Sequence, residues 1–485
     1  MTKQVPTNPT NPASKTECIS QPLLFPELIS GKTVTVDFKG GQISSDGGSV
    51  LLGRLDRSFG FLKRFARCFT DHRNEDYVEH PVLDLLRQRV YGLALGYEDL
   101  NDHDQLRSDP LLASVCGKED PLGLDRVHPE DRGKAMAGKS TLNRLELTPG
   151  NADSSSRYKK IVADPQGLED FFIKEYVRSL PKDSTEAVLD LDRTNDPLHG
   201  QQEGRFFQGY YDEYCYTPFY IFAGHWPVVA ALYTAESEHL DQTLRLVEKV
   251  VTCLRERFPK LRIILRADSG YCRDALMRWC EKAGVYYVFG LQRNKVLERI
   301  LRGTLRSAKS MLDFNGSQSE RLYKDFAYRA KSWGRLRRRV VGKAEWTRQG
   351  SNPRYVITNL PTEKADAKKL YEKLYCARGD MENRIKEQQL DLYADRTSTG
   401  TLRANQLRLW FATLAYLLVN KLREVGLVGT ELAKATCGTI RLKLFKIGAL
   451  VRVTVRRVWI SLSSAFPLAK LFQTAYQRLE LPSSG

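Results

Sequence analysis

The sequence predicts an α/β fold, and the order of its strands and helices carries that prediction. The buried strand "EAVLDLDRT" (186–194) has charged residues at its end, and two apolar strands follow it, "EYCYTPFYIFAG" and "PVVAALYTA". A long amphipathic helix is expected over 239–257, then the strand "LRIILRADSG", a helix over 273–283 and the strand "VYYVFGL". Three strands, a helix, and then alternating strand and helix are the order of a ribonuclease H-like core.

The region ahead of this core is predicted to be mainly helical. The first 30 residues are polar and rich in Pro and Thr, so we expect a disordered leader. The strand "KTVTVDF" and a Gly-rich turn precede a helix from His80 to about Gly96, in which leucine and valine recur at helical spacing. A helical unit at this place suits DNA binding, and a plain helical scaffold explains it equally well.

The sequence pattern changes again after the core strands. Alternating stretches such as "RLYKDFAYRAKSW" and "RYVITNL" are typical of antiparallel strands. Helix is expected again over 364–390 and 402–425. The predicted organisation has six parts: 1–30, a disordered leader; 31–150, an N-terminal DNA-binding region and linker; 151–291, the first part of the core; 292–370, a β-rich insertion domain; 371–425, the second part of the core; and 426–485, a basic C-terminal region.

Positive charge dominates the chain. The net charge of +17 and the pI near 9.4 favour a polyanionic partner over a small-molecule substrate. Between Arg321 and Gln349 there are ten Lys/Arg against two Asp/Glu, and 401–459 holds eleven Lys/Arg against two acids. A solvated sheet face would not require such an imbalance, so we expect phosphate contacts in both segments.

Other classes of protein are disfavoured by what the sequence lacks. Nine scattered cysteines without a C-x-x-C pair indicate reduced thiols rather than disulfides or a zinc site. The N-terminus has no apolar core of a signal peptide. The longest apolar runs, such as Leu409–Val419, are far shorter than the ~18 residues of a membrane span. We therefore expect a soluble cytoplasmic protein with no membrane partner.

Two strands of the predicted core end in aspartate. Asp190 and Asp192 are two residues apart on one strand, so their side chains share a face. Asp268 ends another strand, which is a neighbour of the first in this fold order. Aspartates at adjacent strand ends make an oxygen-ligand site suited to Mg²⁺. A strand-terminal aspartate is often only a turn or capping residue, so the joint placement carries more weight than any one of them.

A third carboxylate is expected from a later helix. Tyr375, Arg378 and Glu382 are spaced i, i+3 and i+7, so they project from one helix face. With the two aspartates, Glu382 would complete a two-metal site that activates an attacking oxygen and stabilises a leaving one. A glutamate on a charged helix such as "ENRIKEQQ" is otherwise usually solvated.

Four stretches resemble a known family: "LDLDRTNDPLHGQQEGRFFQGYYDEYCY", "ILRADSGY", "YVFGLQRN" and "LYCARGDMENRIKEQQLDLYADRTS". They are similar to the bacterial insertion-sequence transposases of the 1380 family, DDE domain group 1, and the resemblance runs from about Leu24 to Leu422. It implies a ribonuclease H-like fold with a β-rich insertion between the second aspartate and the glutamate. It also implies cleavage of phosphodiesters at the element's ends and transfer of the freed 3′-hydroxyls to target DNA.

The resemblance assigns the site residue by residue. The first aspartate of the wider clade lies in a D-x-T motif, which matches Asp192, and the second matches Asp268 of "RADSG". The Y-x-x-R-x-x-x-E signature falls on Tyr375, Arg378 and Glu382. The implied cofactor is Mg²⁺, with Mn²⁺ as a substitute, and the implied partners are terminal inverted repeats and target DNA. Because two ends must be cut together, a homodimer on DNA is expected.

One position departs from the family pattern. The clade has a lysine seven residues after the glutamate, where this chain has Gln389; Lys386, one turn after Glu382, could contact phosphate instead. Asp190 and Asp196 remain rivals to Asp192, and Glu387 is a weaker rival to Glu382 because it points about 140° round the helix.

Aromatic and basic residues of the insertion are candidates for contacts with DNA. The clade commonly stacks an aromatic residue on an extruded base, a role for which Trp333 and Trp346 are candidates, although a tryptophan in a β insertion is more often core. Arg337, Arg338 and Arg339 are expected to bind phosphate, together with Tyr375, Arg378 and Lys386 of the helix.

Two other functions remain open. "GKAMAGKS" (Gly133–Ser140) matches the Walker A pattern of a P-loop ATPase, but the polar, Pro-containing "DRVHPEDR" before it is no buried strand, and the following "STLNRLE" reads as a helix in a linker. A catalytically silent DNA-binding protein derived from a transposase would keep the basic surfaces without cleavage. The intact set of carboxylates argues against that reading.

Overall fold

The computed structural model describes residues 23–29, 32–237 and 239–480. The strands in these residues are β1 (Leu23–Ile29), β2 (Lys32–Val36), β3 (Gln42–Ser44), β4 (Phe69–Asp71), β5 (Ile161–Ala163), β6 (Glu186–Arg193), β7 (Asp196–Pro197), β8 (Phe206–Gln208), β9 (Glu213–Ala223), β10 (Trp226–Thr234), β11 (Arg262–Ala267), β12 (Tyr286–Leu291), β13 (Ser319–Tyr328), β14 (Arg338–Thr347), β15 (Gly350–Ser351), β16 (Arg354–Thr358), β17 (Ala449–Val453) and β18 (Val458–Leu462).

The α-helices in the same residues are α1 (Ser49–Phe59), α2 (Phe61–Ala66), α3 (Val82–Leu95), α4 (His103–Leu106), α5 (Pro110–Cys116), α6 (Lys139–Glu146), α7 (Pro165–Ser179), α8 (Leu240–Arg257), α9 (Asp274–Ala283), α10 (Lys295–Asn315), α11 (Ala367–Lys369), α12 (Gly379–Leu392), α13 (Leu402–Val425), α14 (Cys437–Ile440) and α15 (Ala469–Arg478). A π-helical segment (Leu370–Tyr375) and a 3₁₀ turn (Cys376–Arg378) join α11 to α12. One helical run therefore extends over 367–392.

An eleven-stranded mixed sheet forms the centre of the fold. Eight strands follow the order β10–β9–β6–β11–β12–β16–β14–β13, and the short β7, β8 and β15 pair beside them. β6, β11 and β12 are parallel, whereas β9 and β10 run antiparallel to their neighbours. The strands and helices predicted for 186–291 are confirmed in type and order.

Helices cover both faces of this sheet, which explains why its strands are nearly continuous apolar runs. In β9, Tyr220 and Phe222 pack in the same core as α13, while Phe219 and Ile221 pack in the core that contains α8. α13 is buried along most of its length because it lies between the sheet and the N-terminal helices. None of the helices in the described residues is long and apolar enough to cross a bilayer.

The segment predicted as a β-rich insertion domain differs from that expectation in two ways. It begins with α10, a 21-residue helix that the β-rich expectation did not include. Its strands β16, β14 and β13 then continue the central sheet, because β16 pairs antiparallel with β12. The backbone groups at the β12 edge are thus satisfied by β16, and the strands of residues 292–370 continue the central sheet.

The two ends of the chain fold together. β3 pairs with β17, and the amide groups of Gly47 and Gly48 donate to the carbonyl oxygens of Ile447 and Phe445. In the segment expected to be a disordered leader, the described part is β1, which pairs antiparallel with β2. The remainder of that expectation, residues 1–22 and 30, lies outside the described residues.

The basic C-terminal segment is only partly a surface. Arg408 pairs with the buried Glu146, Arg423 with the buried Glu387, and Lys446 with Asp46. Arg441 donates to backbone carbonyl oxygens of α3. Exposed cations lie in and before the β17–β18 hairpin, at Lys434, Lys443, Arg452, Arg456 and Arg457, and on α15, at Lys470 and Arg478.

His103 should make the folded state sensitive to acid. Its side chain is fully buried beside Gln88, and burial lowers its pKa to about 3. Because the unfolded chain takes up this proton near pH 6.5 and the folded chain does not, stability falls as the pH drops below that value. We expect His103 to remove about 2 kcal/mol of unfolding free energy between pH 7 and pH 5. Urea unfolding over this pH range should show no such loss for His103→Gln, whereas the control His128→Gln, at an exposed site, should retain it. Equal pH dependence in the wild type and both variants would contradict the assignment.

Candidate active site

Asp192 and Asp268 lie at one edge of the central sheet. Asp192 is the penultimate residue of β6, and Asp268 directly follows the end of β11. The two strands are parallel, with Leu191 opposite Ala267 in the register. Since parallel strands carry their carboxyl ends to the same edge, both carboxylates reach one place, as the strand order predicts.

Arg378 connects the helix to this strand edge. Its Nη1 donates to Asp192 Oδ2 at 2.9 Å, and its Nη2 donates to Glu382 Oε1 at 2.8 Å. The helical run reaches this point through the π-helical segment Leu370–Tyr375, a geometry that is frequent at functional sites. The guanidinium therefore stands between two of the three predicted carboxylates.

Tyr375 approaches the strand edge from the same helical run. A methyl group at Gly290 of β12 would lie 2.7 Å from the Tyr375 hydroxyl and 2.9 Å from the Ser269 nitrogen. Only glycine leaves room for the tyrosine and for the backbone beside Asp268. The tyrosine, arginine and glutamate of the predicted helix face thus all lie at the site.

One open cavity of about 440 Å³ is lined by all three predicted carboxylates. Tyr210 and Tyr211, which the sequence analysis did not identify, line it from the turn between β8 and β9. The Tyr210 side chain is 87% exposed. Packing in a hydrophobic core does not explain two adjacent tyrosines in a short polar turn. The stretch "FQGYYDE" could therefore have indicated a functional role for them.

Negative charge is concentrated at the carboxylates. Burial raises the pKa of Asp192 to about 6; Arg378 opposes this shift, and Asp268 and Glu382 reinforce it. Burial alone would lower the pKa of Arg378, but its carboxylate neighbours, Asp192 first among them, hold that pKa above its usual value. The site therefore stabilises a cation and disfavours a further anion unless positive charge accompanies it.

The donor set suits a hard divalent cation. Asp192, Asp268 and Glu382 offer carboxylate oxygens, the ligand type that Mg²⁺ prefers. Among the described residues, no three Asp, Glu, His or Cys side chains are grouped closely enough to hold one ion. At this site the Arg378 guanidinium forms ion pairs with both Asp192 and Glu382. The raised pKa of Asp192 indicates unmet demand for positive charge, so the residues fit a metal in donor type.

The rival carboxylates are engaged in the interior. Asp190 shares a bidentate ion pair with Arg266 of β11, with both N···O distances at 2.6 Å, and Arg266 also donates to the Leu374 carbonyl oxygen. Glu387 is buried against Arg423 and accepts from the Cys437 amide. Both carboxylates are thereby tied to neighbouring elements rather than open to a substrate.

Gln389 has an internal role. Its Nε2 donates to Asp196 Oδ1 at 3.0 Å and to the Asn195 carbonyl oxygen at 3.1 Å. Asp196 is fully buried, and burial raises its pKa well above the usual value. Gln389 thus secures the loop after β6, whereas Lys386 is exposed on α12 and open to a phosphate.

Three of the residues expected to contact DNA are enclosed. Trp333 is 3% exposed and packs edge-on against Tyr328, so it has no free face for a base. Arg338 is buried in ion pairs with Asp274 and Glu281. Arg339 pairs with Asp325 and donates to two backbone carbonyl oxygens.

These enclosed positions correct the expectation for the insertion, and the reason is that the inserted strands belong to the sheet's core. Arg337, which precedes β14, is exposed as expected. Trp346 is half-buried, with Lys309 Nζ 5.5 Å from the centre of its ring.

The Walker A match lacks the geometry of a phosphate-binding loop. The 3₁₀ turn Pro129–Asp131, not a buried strand, precedes it. Lys139 Nζ lies 3.3 Å from Asp104 Oδ2, so the lysine is already paired. The segment is a linker that begins α6, which removes the structural basis for nucleotide binding at this motif.

Comparison with known proteins identifies the family. The family described as transposase DDE domain group 1 matches residues 26–483. A cryo-EM structure of a piggyBac transposase synaptic complex with hairpin DNA aligns with 91% of this chain and 83% of that chain, at 11% identity and a TM-score of 0.39. No curated protein matches the sequence. On the extent of the family match, the chain belongs to the transposase DDE domain group 1 family.

Proposed function

We propose that this protein is a DNA transposase of the 1380 insertion-sequence family of bacteria, with Asp192, Asp268 and Glu382 as its catalytic carboxylates. It would cleave phosphodiesters at the ends of an insertion sequence and join the 3′-hydroxyls to target DNA. The observation that carries the proposal is that these three residues line one cavity at the carboxyl edge of the sheet.

The strand order supports a ribonuclease H-like core as part of this proposal. Numbered along the chain, the five strands β6, β9, β10, β11 and β12 lie side by side in the order 3-2-1-4-5. The first three are antiparallel and the last two are parallel to the first. In this arrangement the first and fourth strands are neighbours, which is why their terminal aspartates meet.

Each residue at the site would have a defined part. Asp192, Asp268 and Glu382 would hold Mg²⁺, or Mn²⁺ in its place, and the metal would supply Lewis-acid chemistry at the scissile phosphate in a two-metal reaction. Arg378 is placed to bind a phosphate oxygen through a charge-assisted hydrogen bond. Tyr375 and the exposed Lys386 lie on the same helical run as Arg378 and would contact the DNA backbone. The substrate would be double-stranded DNA bound by a homodimer, because two element ends must be cut together.

Cleavage of DNA that carries the element's ends tests the proposal. With Mg²⁺, wild-type protein should cut at the ends and Asp268→Ala should not, because one carboxylate of the cavity is gone. Asp183→Ala removes an exposed carboxylate that precedes β6 at the opposite edge of the sheet, does not line this cavity and serves as the matched control. Equal cleavage by wild type and Asp268→Ala would overturn the assignment. Specific binding without cleavage by the wild type would instead favour a silent DNA-binding protein.

A further inference from the structure

Helix α10 carries a stripe of cations on its outer face. Lys295, Arg299, Arg302, Arg306 and Lys309 are all exposed and follow one another at intervals of four, three, four and three residues. At 100° per residue they fall within an arc of about 80°. At 1.5 Å per residue they extend along about 21 Å of the helix. We call these five residues the α10 stripe.

The opposite face of the same helix anchors it to the protein. Leu297, Leu301, Ala308 and Leu312 are buried, and α10 packs against β13 and β14 of the central sheet. Lys324 Nζ also donates to the Ile300 carbonyl oxygen at 2.9 Å. The stripe is therefore held on a rigid element, with its side chains directed away from the sheet.

The stripe differs from the other basic residues of this region because it is unpaired. Arg338 and Arg339 form ion pairs with acids on neighbouring elements, and Arg278 pairs with Asp274 of its own helix. Within the described residues, none of the five stripe residues forms an ion pair, and Lys309 alone has a ring contact, with Trp346. A solvated helix face usually alternates the sign of its charges, whereas here five cations follow one another before the first acid on the face, Asp313, and Glu298 only borders it.

A basic path leads from the stripe to the carboxylates. A second cavity, of about 440 Å³, is lined by Asp268 and Tyr375 at one side and by Arg293 and Arg354 at the other. Arg293 lies two residues before the first residue of the stripe. At the same end of α10, Asn294 Nδ2 donates to the Tyr328 hydroxyl at 3.2 Å, which brings the β13–β14 turn beside it. That turn adds the exposed cations Arg329, Lys331, Arg335 and Arg337.

We propose that the α10 stripe binds the phosphate backbone of duplex DNA and guides it into the catalytic cavity. A duplex presents roughly six phosphates per strand over about 21 Å, enough to face all five cations. The contacts would be independent of sequence, since they involve only phosphates. The inference rests on the proposed function for the identity of the polyanion, and it adds a binding surface formed by a helix that the sequence analysis did not predict.

The test compares two triple variants that each remove three exposed cations. R299Q/R302Q/R306Q neutralises the centre of the stripe, and glutamine preserves helix propensity. K182Q/K260Q/K282Q neutralises three exposed lysines that precede β6, β11 and β12 and so lie at the opposite edge of the sheet. Binding of a labelled random-sequence duplex is measured by fluorescence anisotropy over a range of salt concentrations, in EDTA so that no cleavage intervenes. Thermal melting checks that each variant is folded.

The stripe variant should lower the magnitude of the slope of log K against log salt by about 2 to 3, because each lost phosphate contact contributes about 0.9. At about 0.1 M salt its affinity should fall at least tenfold, while the control retains the wild-type slope. Equal slopes for the two triple variants would overturn the proposal. Binding is measured in EDTA and does not depend on cleavage, so a failure of the cleavage assignment remains distinguishable from a failure of the stripe.

Discussion

Asp192→Asn is expected to reduce end cleavage at least about a thousandfold. The substitution keeps the size of the side chain and removes the charge at the cavity. A thousandfold loss corresponds to about 4 kcal/mol of transition-state stabilisation, which is within what a metal-binding carboxylate is expected to support. The measurement is single-turnover cleavage of end-containing DNA in Mg²⁺, with binding followed separately so that loss of affinity is not mistaken for loss of chemistry.

The same variant should unfold less readily than the wild type in the absence of metal. Burial raises the pKa of Asp192 to about 6, so at pH 7 the folded protein carries a charge that it disfavours relative to the unfolded chain. Between the two pKa values the folded state holds more protons, and the contribution of this group to stability falls as the pH rises through 6. Asparagine removes that loss, and we expect a gain of about 1 to 3 kcal/mol at pH 7 in EDTA.

Asp190→Asn provides the contrasting case. Burial raises the pKa of Asp190 as well, but its neutralisation leaves the buried Arg266 without an acidic partner, whereas Arg378 keeps Glu382 when Asp192 is neutralised. Asp190→Asn should therefore lower stability, and the folded fraction should still cleave DNA. Lost cleavage in a stable Asp190→Asn protein, together with retained cleavage in Asp192→Asn, would transfer the catalytic role to Asp190.

Glu146→Ala should destabilise the fold by about 3 to 5 kcal/mol. The Glu146 side chain is completely buried at the end of α6, where it pairs with Arg89 of α3 at 2.8 Å and with Arg408 of α13 at 2.7 Å. Burial alone would raise its pKa, but the two arginines hold that pKa below its usual value. Alanine would leave two guanidinium groups in the interior without their shared partner, which costs far more than the pair itself contributes.

Urea unfolding at pH 7 measures this loss, and a surface ion pair provides the matched control. Glu186 pairs with Arg262 at the sheet's margin, where both side chains are more than a third exposed. Glu186→Ala should therefore change the unfolding free energy by less than about 1 kcal/mol. A similarly small change for Glu146→Ala would show that the interior tolerates the unpaired arginines and would contradict the stabilising role assigned to Glu146.

Sequence reasoning was sufficient where the signal for an element is local. Local signals predicted the strands of the core and the edge at which Asp192 and Asp268 meet. An apolar run that ends in aspartate indicates both a strand and the point where that strand ends. Even α10 was predictable, since Leu297, Leu301, Ala308 and Leu312 recur at helical spacing. The alternating stretches that follow it led instead to the description of the whole segment as β-rich.

Local sequence signals do not predict with which acid a basic side chain forms an ion pair. Arg337 and Arg338 are adjacent and equally basic, yet one is exposed and the other is buried between Asp274 and Glu281. These acids lie more than fifty residues away in the chain, so only the packed sheet decides the difference. Trp333 became a core residue for the same reason, because the inserted strands extend the central sheet.

The chemistry of the site therefore has two origins. The order of the strands and the spacing on the helix determine that three carboxylates, a tyrosine and an arginine belong together, because both depend on backbone periodicity. The packed fold decides that Asp192 rather than Asp190 faces the cavity, because Arg266 on the neighbouring strand occupies Asp190. It also decides that the unpaired cations lie along α10, because ion pairs form between elements that meet only after folding.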